Sequence, residues 1–294
     1  MEEAAQAASS FVITNRGNFM THIELPEIES HCLSHIGTVR EDNQDSVRVI
    51  DQHDELTAAC GHLFGVADGM GGYAQGGVAS SLALLTLFET VYSSNGLSIP
   101  QKMKQAVQNA NLNIYQKARE LGVGRMGTTL TAGLLKENKF HICHVGDSRA
   151  YLIRGKTSTC LTKDHTRVGE LVRMKVLAPD KVRTHNQRSV LSKCLGLDLF
   201  VQPDVFEVQV QDGDVILFCS DGVWSVIDDQ EFATLALKAV SAEQLNQTIV
   251  DLAMERGSDD NVSAVTIMLH KLVKHQTEHG SRFSKLINRF KSRT

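Results

Sequence analysis

Paired cysteines, histidine metal motifs, long apolar runs and an excess of positive charge are all missing from this chain. Each absence removes a class of protein. The six cysteines, at 32, 60, 143, 160, 194 and 219, form no C-x-x-C pair, so they spell neither a zinc knuckle nor a disulfide framework. Cys143 and Cys219 sit inside apolar runs, as small buried hydrophobes do, which fits a reducing, intracellular setting and a cytoplasmic protein. The 12 histidines include no H-E-x-x-H. No apolar stretch approaches the roughly 18 residues of a membrane span, and the start MEEAAQAASS is acidic where a signal peptide is basic. A formal net charge of −4 argues against nucleic-acid binding as the main role. Only 4 prolines interrupt the 294 residues, and 42% of them are hydrophobic, enough for a large buried core.

Short apolar runs predict strands at 23–36, 45–50, 62–67, 129–135, 139–145, 149–154, 203–210, 214–219 and 262–269. Helical periodicity marks 75–93, 99–120, 229–239 and 241–256. This order is no regular βαβ alternation, and the turns KEN and GDS within 129–154 predict antiparallel pairing. A layered α+β fold is therefore expected rather than a doubly wound parallel sheet. Residues 1–22 read as a loose extension and 23–270 as the folded unit. Residues 164–195 read as a small helical insertion, a flap near a site. Residues 271–294 form a basic tail in which Phe283, Leu286, Ile287 and Phe290 make one apolar helical stripe. Such a helix either docks on the domain or binds an anionic membrane or a partner.

The stretch FGVADGMGGYAQGG, residues 64–77, has two readings. Gly69, Gly71 and Ala74 fit a dinucleotide fingerprint, with Glu89 near the expected distance downstream. Alternatively Asp68 is a metal ligand at a strand end and the glycines shape a turn. The rest of the chain favours the second reading, because three apolar runs stop at an Asp: Asp68, Asp147 and Asp221. Asp260 precedes a further strand and Asp45 opens another. Singly, each is an ordinary turn or cap residue. Gathered at one end of packed sheets, such acids need positive charge between them. All-oxygen ligands select hard cations, Mg²⁺ or Mn²⁺ over Zn²⁺. Two such ions about 3.5–4 Å apart lower the pKa of a shared water and present it to phosphorus. Arg40, close before Asp45, suits bidentate contact with a phosphate.

Taken in order, TVREDNQDS, FGVADGMGG, MGTTLTAGLL, HVGDSRAYLI, LTKDHT, ILFCSDGVW and SDDNVSAVTI resemble the motifs of protein phosphatase 2C-like enzymes of bacterial type. The resemblance spans about residues 29–270. It implies an αββα sandwich of two antiparallel sheets between helical layers, and a metal-dependent phosphatase acting on phosphoserine and phosphothreonine. Asp68 would bridge two metals, with the Gly69 carbonyl facing one. Asp221 and Asp260 would hold the first, Asp45 would support the second, and Asp147 with Asp221 would match a third position. Arg40 would bind the substrate phosphate. The family mechanism has a metal-bridged hydroxide attack phosphorus directly, without a phosphoenzyme. Two departures stand out. Met70 replaces the proton-donating His of many eukaryotic relatives, and Gln44 holds a position often occupied by Glu. The implied partners are phosphorylated substrates of a bacterial Ser/Thr kinase, and a monomer is the family default.

Three further readings compete. CHVGDSR, residues 143–149, matches the C-x5-R loop of cysteine phosphatases, but its flanks read as strand–turn–strand and bury Cys143. His165, at the edge of the insertion, is expected near the cleft in a structural hydrogen-bonding role. A phosphoprotein-binding pseudophosphatase and a small-molecule metal phosphohydrolase remain the functional alternatives.

Overall fold

The computed structural model describes residues 26–51, 55–71 and 75–272. In chain order its elements begin with β1 (Glu27–His35), β2 (Asp45–Ile50), α1 (Glu55–Cys60), β3 (His62–Gly71), α2 (Gln75–Ser93) and α3 (Ile99–Glu120). Five strands follow: β4 (Met126–Thr128), β5 (Leu130–Lys136), β6 (Lys139–Val145), β7 (Arg149–Arg154) and β8 (Thr157–Cys160). The last of the described elements are α4 (Arg167–Arg173), β9 (Asp204–Gln209), β10 (Val215–Cys219), α5 (Asp221–Trp224), α6 (Glu231–Lys238), α7 (Ala242–Glu255) and β11 (Val262–Lys271).

These strands build two antiparallel sheets, ordered β1-β11-β10-β7-β8 and β2-β3-β5-β6-β9, with β4 paired to the end of β3. A strand buried on both faces needs two cores, and β3 shows how they are divided. Phe64 and Val66 point into the seam between the sheets, while Leu63 and Ala67 point outward to the helices. The seam is aromatic: Phe64 stacks on Phe140 at 6.1 Å, and Phe140 meets Phe218 of the opposite sheet at 5.9 Å. Gly133 leaves room for that contact, since a Cβ there would stand 2.0 Å from Phe140 Cε1. Helices α2 and α3 cover one sheet with residues such as Leu87, Phe88 and Ile114. Helices α6 and α7 cover the other with Phe232, Leu245 and Ile249. Capping starts the long helices where the periodicity begins. Ser98 N–H donates to Gln101 Oε1 at 3.0 Å ahead of α3, and Ser241 Oγ accepts from Gln244 N at 3.0 Å ahead of α7. The layers therefore run helix, sheet, sheet, helix, the α+β sandwich expected.

Two sequence readings are corrected. The turn GDS does not close a hairpin. β5 and β6 pair with each other, but after Gly146–Asp147–Ser148 the chain crosses to the other sheet, where β7 pairs with β10 and β8. Gly146 takes φ +110°, and a Cβ there would press on Thr129 at 2.5 Å. Nor does the strand predicted at 62–67 end before Asp68: β3 runs on to Gly71, so Asp68 lies inside a strand rather than at a turn. The short α1, β4, β8 and α5 carry too few residues for a periodic signal.

Residues 164–195 contain α4, a 3₁₀ turn at Pro179–Lys181 and otherwise loops. All six cysteines are free. Among the described residues no helix is long and apolar enough to cross a membrane. The expected N-terminal extension, and Phe283, Leu286, Ile287 and Phe290 of the basic tail, lie outside the described residues.

Candidate active site

At one end of the sandwich the strand ends of both sheets border an open cleft of about 800 Å³. Asp68, Gly69, Asp147, Asp221, Asp260 and Arg40 all line it. Asp45 is buried beside it, directly across the ladder from Asp68. Five of the seven residues predicted from sequence come from different loops or strand ends, and the topology brings all seven together.

Each acid is placed by its backbone. Asp68 N–H donates to Thr129 Oγ1 at 2.9 Å, and its carbonyl accepts from Thr129 N at 2.8 Å and Thr128 Oγ1 at 2.9 Å. The MGTT segment thus clamps the centre of the site. Asp147 sits in the sheet-to-sheet crossing, where its carbonyl accepts from Trp224 Nε1 at 2.9 Å. Asp221 opens α5, and Gly222 lets that turn pack against the next loop, since a Cβ there would lie 2.0 Å from the Asn261 carbonyl. Asn261 ties the two lips together: its Oδ1 accepts from Gln44 N at 2.9 Å, and its Nδ2 donates to Ile36 O and Asp42 O. Arg40 Nη2 reaches Asp260 Oδ2 at 2.6 Å while Nε donates to the Asp259 carbonyl. Arg40 stays half exposed at the mouth of the cleft.

Electrostatics mark these acids as a strained group. Burial, then the charges of Asp45, Asp221, Asp147 and Asp260, hold the Asp68 carboxyl well above the usual carboxylate range. Asp147 is raised likewise, by burial and by Asp221. Asp221 is pushed up to about 7 by burial, Asp260 and Asp45. Asp45 rises to about 6, with burial outweighing the hydroxyls of Ser263 and Ser220. Like charges directly opposite in a ladder, as Asp45 and Asp68 are, destabilise a sheet unless something positive lies between them.

The residues fit a divalent cation. Asp45 Oδ2 and Asp221 Oδ1 are buried without a hydrogen-bond partner among the described residues. An orphaned carboxylate oxygen in a polar cleft is costly unless an ion completes it. The donors are all oxygen, which suits Mg²⁺ or Mn²⁺. Among the described residues no three His, Cys, Asp or Glu side chains already close around one point. The carboxylates stand around the cleft instead, and Asp260 is drawn to Arg40.

The competing motifs dissolve in this geometry. Cys143 lies on β6, fully buried, and burial pushes its thiol up to about 12, so no thiolate is available. Arg149 of the same motif grips both oxygens of Asp164 and stacks 3.7 Å over the Trp224 ring. The dinucleotide fingerprint fails because Asp68 and Gly69 lie within an antiparallel strand. Gly69 serves close packing inside the strand. A Cβ on Gly69 would stand 2.0 Å from the Gly76 carbonyl, where α2 crosses β3. His165 accepts from Gly146 N at Nδ1, 3.2 Å away, and its Nε2 faces Asp204 at 3.3 Å. It supports the Asp147 turn from behind. Sequence reading missed Thr129, Trp224 and Asn261. The motifs MGTT, SDGVW and SDDN contain them, but hydrogen bonds to a backbone leave no mark beyond residue identity.

The protein phosphatase 2C family profile matches residues 34–262. The chain belongs to this family. Over 231 residues it is 35% identical to the serine/threonine protein phosphatase PstP of Mycobacterium tuberculosis, covering 78% of this chain and 42% of that protein. It is 29% identical to the serine/threonine phosphatase stp of Listeria welshimeri, over 79% of this chain and 92% of the relative. A crystal structure of the M. tuberculosis phosphatase superposes with a TM-score of 0.73 at 33% identity, covering 83% of this chain and 99% of that one. The catalytic domain of PstP with two manganese ions superposes at 0.71 and 30% identity, covering 83% and 99%.

Proposed function

We propose that this protein is a cytoplasmic, monomeric, metal-dependent phosphatase that removes phosphate from phosphoserine and phosphothreonine in proteins, opposing a bacterial Ser/Thr kinase. The observation that carries this reading is the ring of buried and half-buried acids around one cleft with two orphaned carboxylate oxygens and an arginine at its mouth. The family and the names of the relatives support the substrate class, and the free cysteines support the compartment. The catalytic unit is taken as residues 23–270 with the flap at 164–195. The tail at 271–294 keeps its two readings, docking or anionic-membrane contact.

Bound Mg²⁺ or Mn²⁺ supplies a water-derived nucleophile at neutral pH and neutralises phosphate charge. Asp68 would hold two ions, with Gly69 beside it. Asp221 and Asp260 would hold the first, Asp45 would support the second, and Asp147 with Asp221 would hold a third. Arg40 orients the phosphate, with N–H groups left over from its contacts to Asp260 and Asp259. Met70, on the same strand face as Asp68, offers no proton to the departing hydroxyl. The test is turnover of p-nitrophenyl phosphate and of a phosphothreonine peptide, with Mn²⁺ and with EDTA. Hydrolysis of both with Mn²⁺ and of neither with EDTA is expected. Metal-independent hydrolysis would overturn the mechanism, and binding of the peptide without hydrolysis would make the protein a phosphoprotein-binding module.

A further inference from the structure

A second cavity, of about 440 Å³, opens beside the acidic cleft and shares Met70, Gly71, Ser189 and Leu191 with it. Its chemistry is different. Met126, Leu197, and Val190 and Leu191 of the 164–195 segment line it with apolar surface. Gly127 lets its walls close in: a Cβ there would meet the Leu195 carbonyl at 2.8 Å, Met70 Cε at 3.3 Å and Leu197 Cδ2 at 3.5 Å. Its walls are tied to the domain, since Leu195 and Thr128 exchange backbone hydrogen bonds of 2.8 and 3.1 Å, and Thr166 bridges Leu191. Val190 is 47% exposed, an apolar surface facing open space beside the reaction centre. At the rim stands Arg125, exposed and, among the described residues, without a carboxylate partner.

A phosphoprotein whose phosphate enters the cleft must lay its neighbouring residues over something, and the shared wall makes this cavity the next surface. We infer that it is a substrate subsite, selecting phosphopeptides with a large apolar side chain close to the phosphorylated residue and an acidic residue beside it. This rests on the phosphatase reading above and narrows its substrate class. The apolar side chain fills the space between Met70, Met126 and Leu197, and the acid pairs with Arg125. The apolar part carries most of the selectivity, because an exposed rim pair contributes little.

The test uses the Mn²⁺-loaded protein and phosphothreonine peptides in which one Leu and one Glu are moved along the positions flanking the phosphothreonine in an Ala and Lys background. p-Nitrophenyl phosphate, which has no flanks, is the control. At one position, Leu is expected to raise kcat/KM by about tenfold over Ala. A neighbouring Glu is expected to add roughly two- to fivefold over Lys. The paired changes Val190→Ser and Leu197→Ala should erase the Leu preference, and Arg125→Glu should turn the Glu preference toward Lys. All these variants should keep p-nitrophenyl phosphate turnover within about twofold of the parent. Indifference of the parent protein to flanking residues overturns the subsite, as does an equal loss on peptides and p-nitrophenyl phosphate. If neither substrate is turned over at all, the phosphatase reading falls, and fluorescence anisotropy with labelled peptides decides the subsite alone. Tighter binding of the Leu and Glu peptide that Arg125→Glu weakens upholds it; equal binding of all peptides overturns it.

Discussion

Asp68 is gripped through its backbone by Thr128 and Thr129 while its carboxyl faces four other acids, so its position is fixed independently of its charge. That separation makes a direct prediction for Asp68→Asn. Hydrolysis should fall by about 10³-fold or more, as expected when a metal-holding carboxylate is lost. The metal-free variant should nevertheless melt higher than the metal-free parent at pH 8, because a neutral amide replaces a carboxyl that burial and neighbouring acids disfavour. For a domain of this size each kcal/mol relieved is worth about 2–4 °C. Calorimetry in EDTA checks it, and a lower melting temperature would sink the account of the acids as a strained group. Arg40 was legible from sequence as a candidate for the cleft, but its contact with Asp260 was not, since the two lie on loops 220 residues apart.

Among the elements, α5 and the β6–β7 crossing act as one unit. Trp224, in the helix that Asp221 opens, donates its indole N–H to the Asp147 carbonyl and receives the Arg149 guanidinium on its ring. One aromatic residue therefore holds the Asp147 backbone from the short helix that Asp221 opens. Trp224→Phe keeps an aromatic ring and removes the donor, leaving a buried carbonyl unpaired at a cost of about 1–3 kcal/mol. Metal titration should show weaker binding with a smaller change in KM than in kcat, whereas unchanged metal affinity would mean the hydrogen bond does not position Asp147. The crossing also explains why sequence reading erred there. Gly-Asp-Ser between two strands has the chemistry of a hairpin turn, and whether the second strand pairs with the first or with another sheet depends on partners far along the chain.

For the molecule as a whole, the acids set a pH dependence opposite to that of a typical ion-paired protein. Asp221 titrates near 7 in the metal-free fold against 3.8 ordinarily, so the folded state binds more protons and loses stability as pH rises through 7. Buried histidines act the other way: His144 is pushed down to about 4 from 6.5, and costs stability only as pH falls below 6.5. Between about pH 6.5 and 8.5 the acids act alone. The melting temperature in EDTA should fall across that window, and Mn²⁺ should restore it, with the larger gain at the higher pH. A flat profile in EDTA would count against the acid ring. Strands, long helices, the layered class and the candidate residues that gather at the cleft were readable from the chain, because periodicity, strand-end acids and ordered motifs are local properties. Only the tertiary structure decided that Asp68 lies within a strand opposite Asp45, that Gly69 admits α2 rather than making a turn, and that an apolar cavity adjoins the cleft. Those facts depend on which segments meet in space, and contact between distant segments is set by the packing of two sheets rather than by any single stretch of residues.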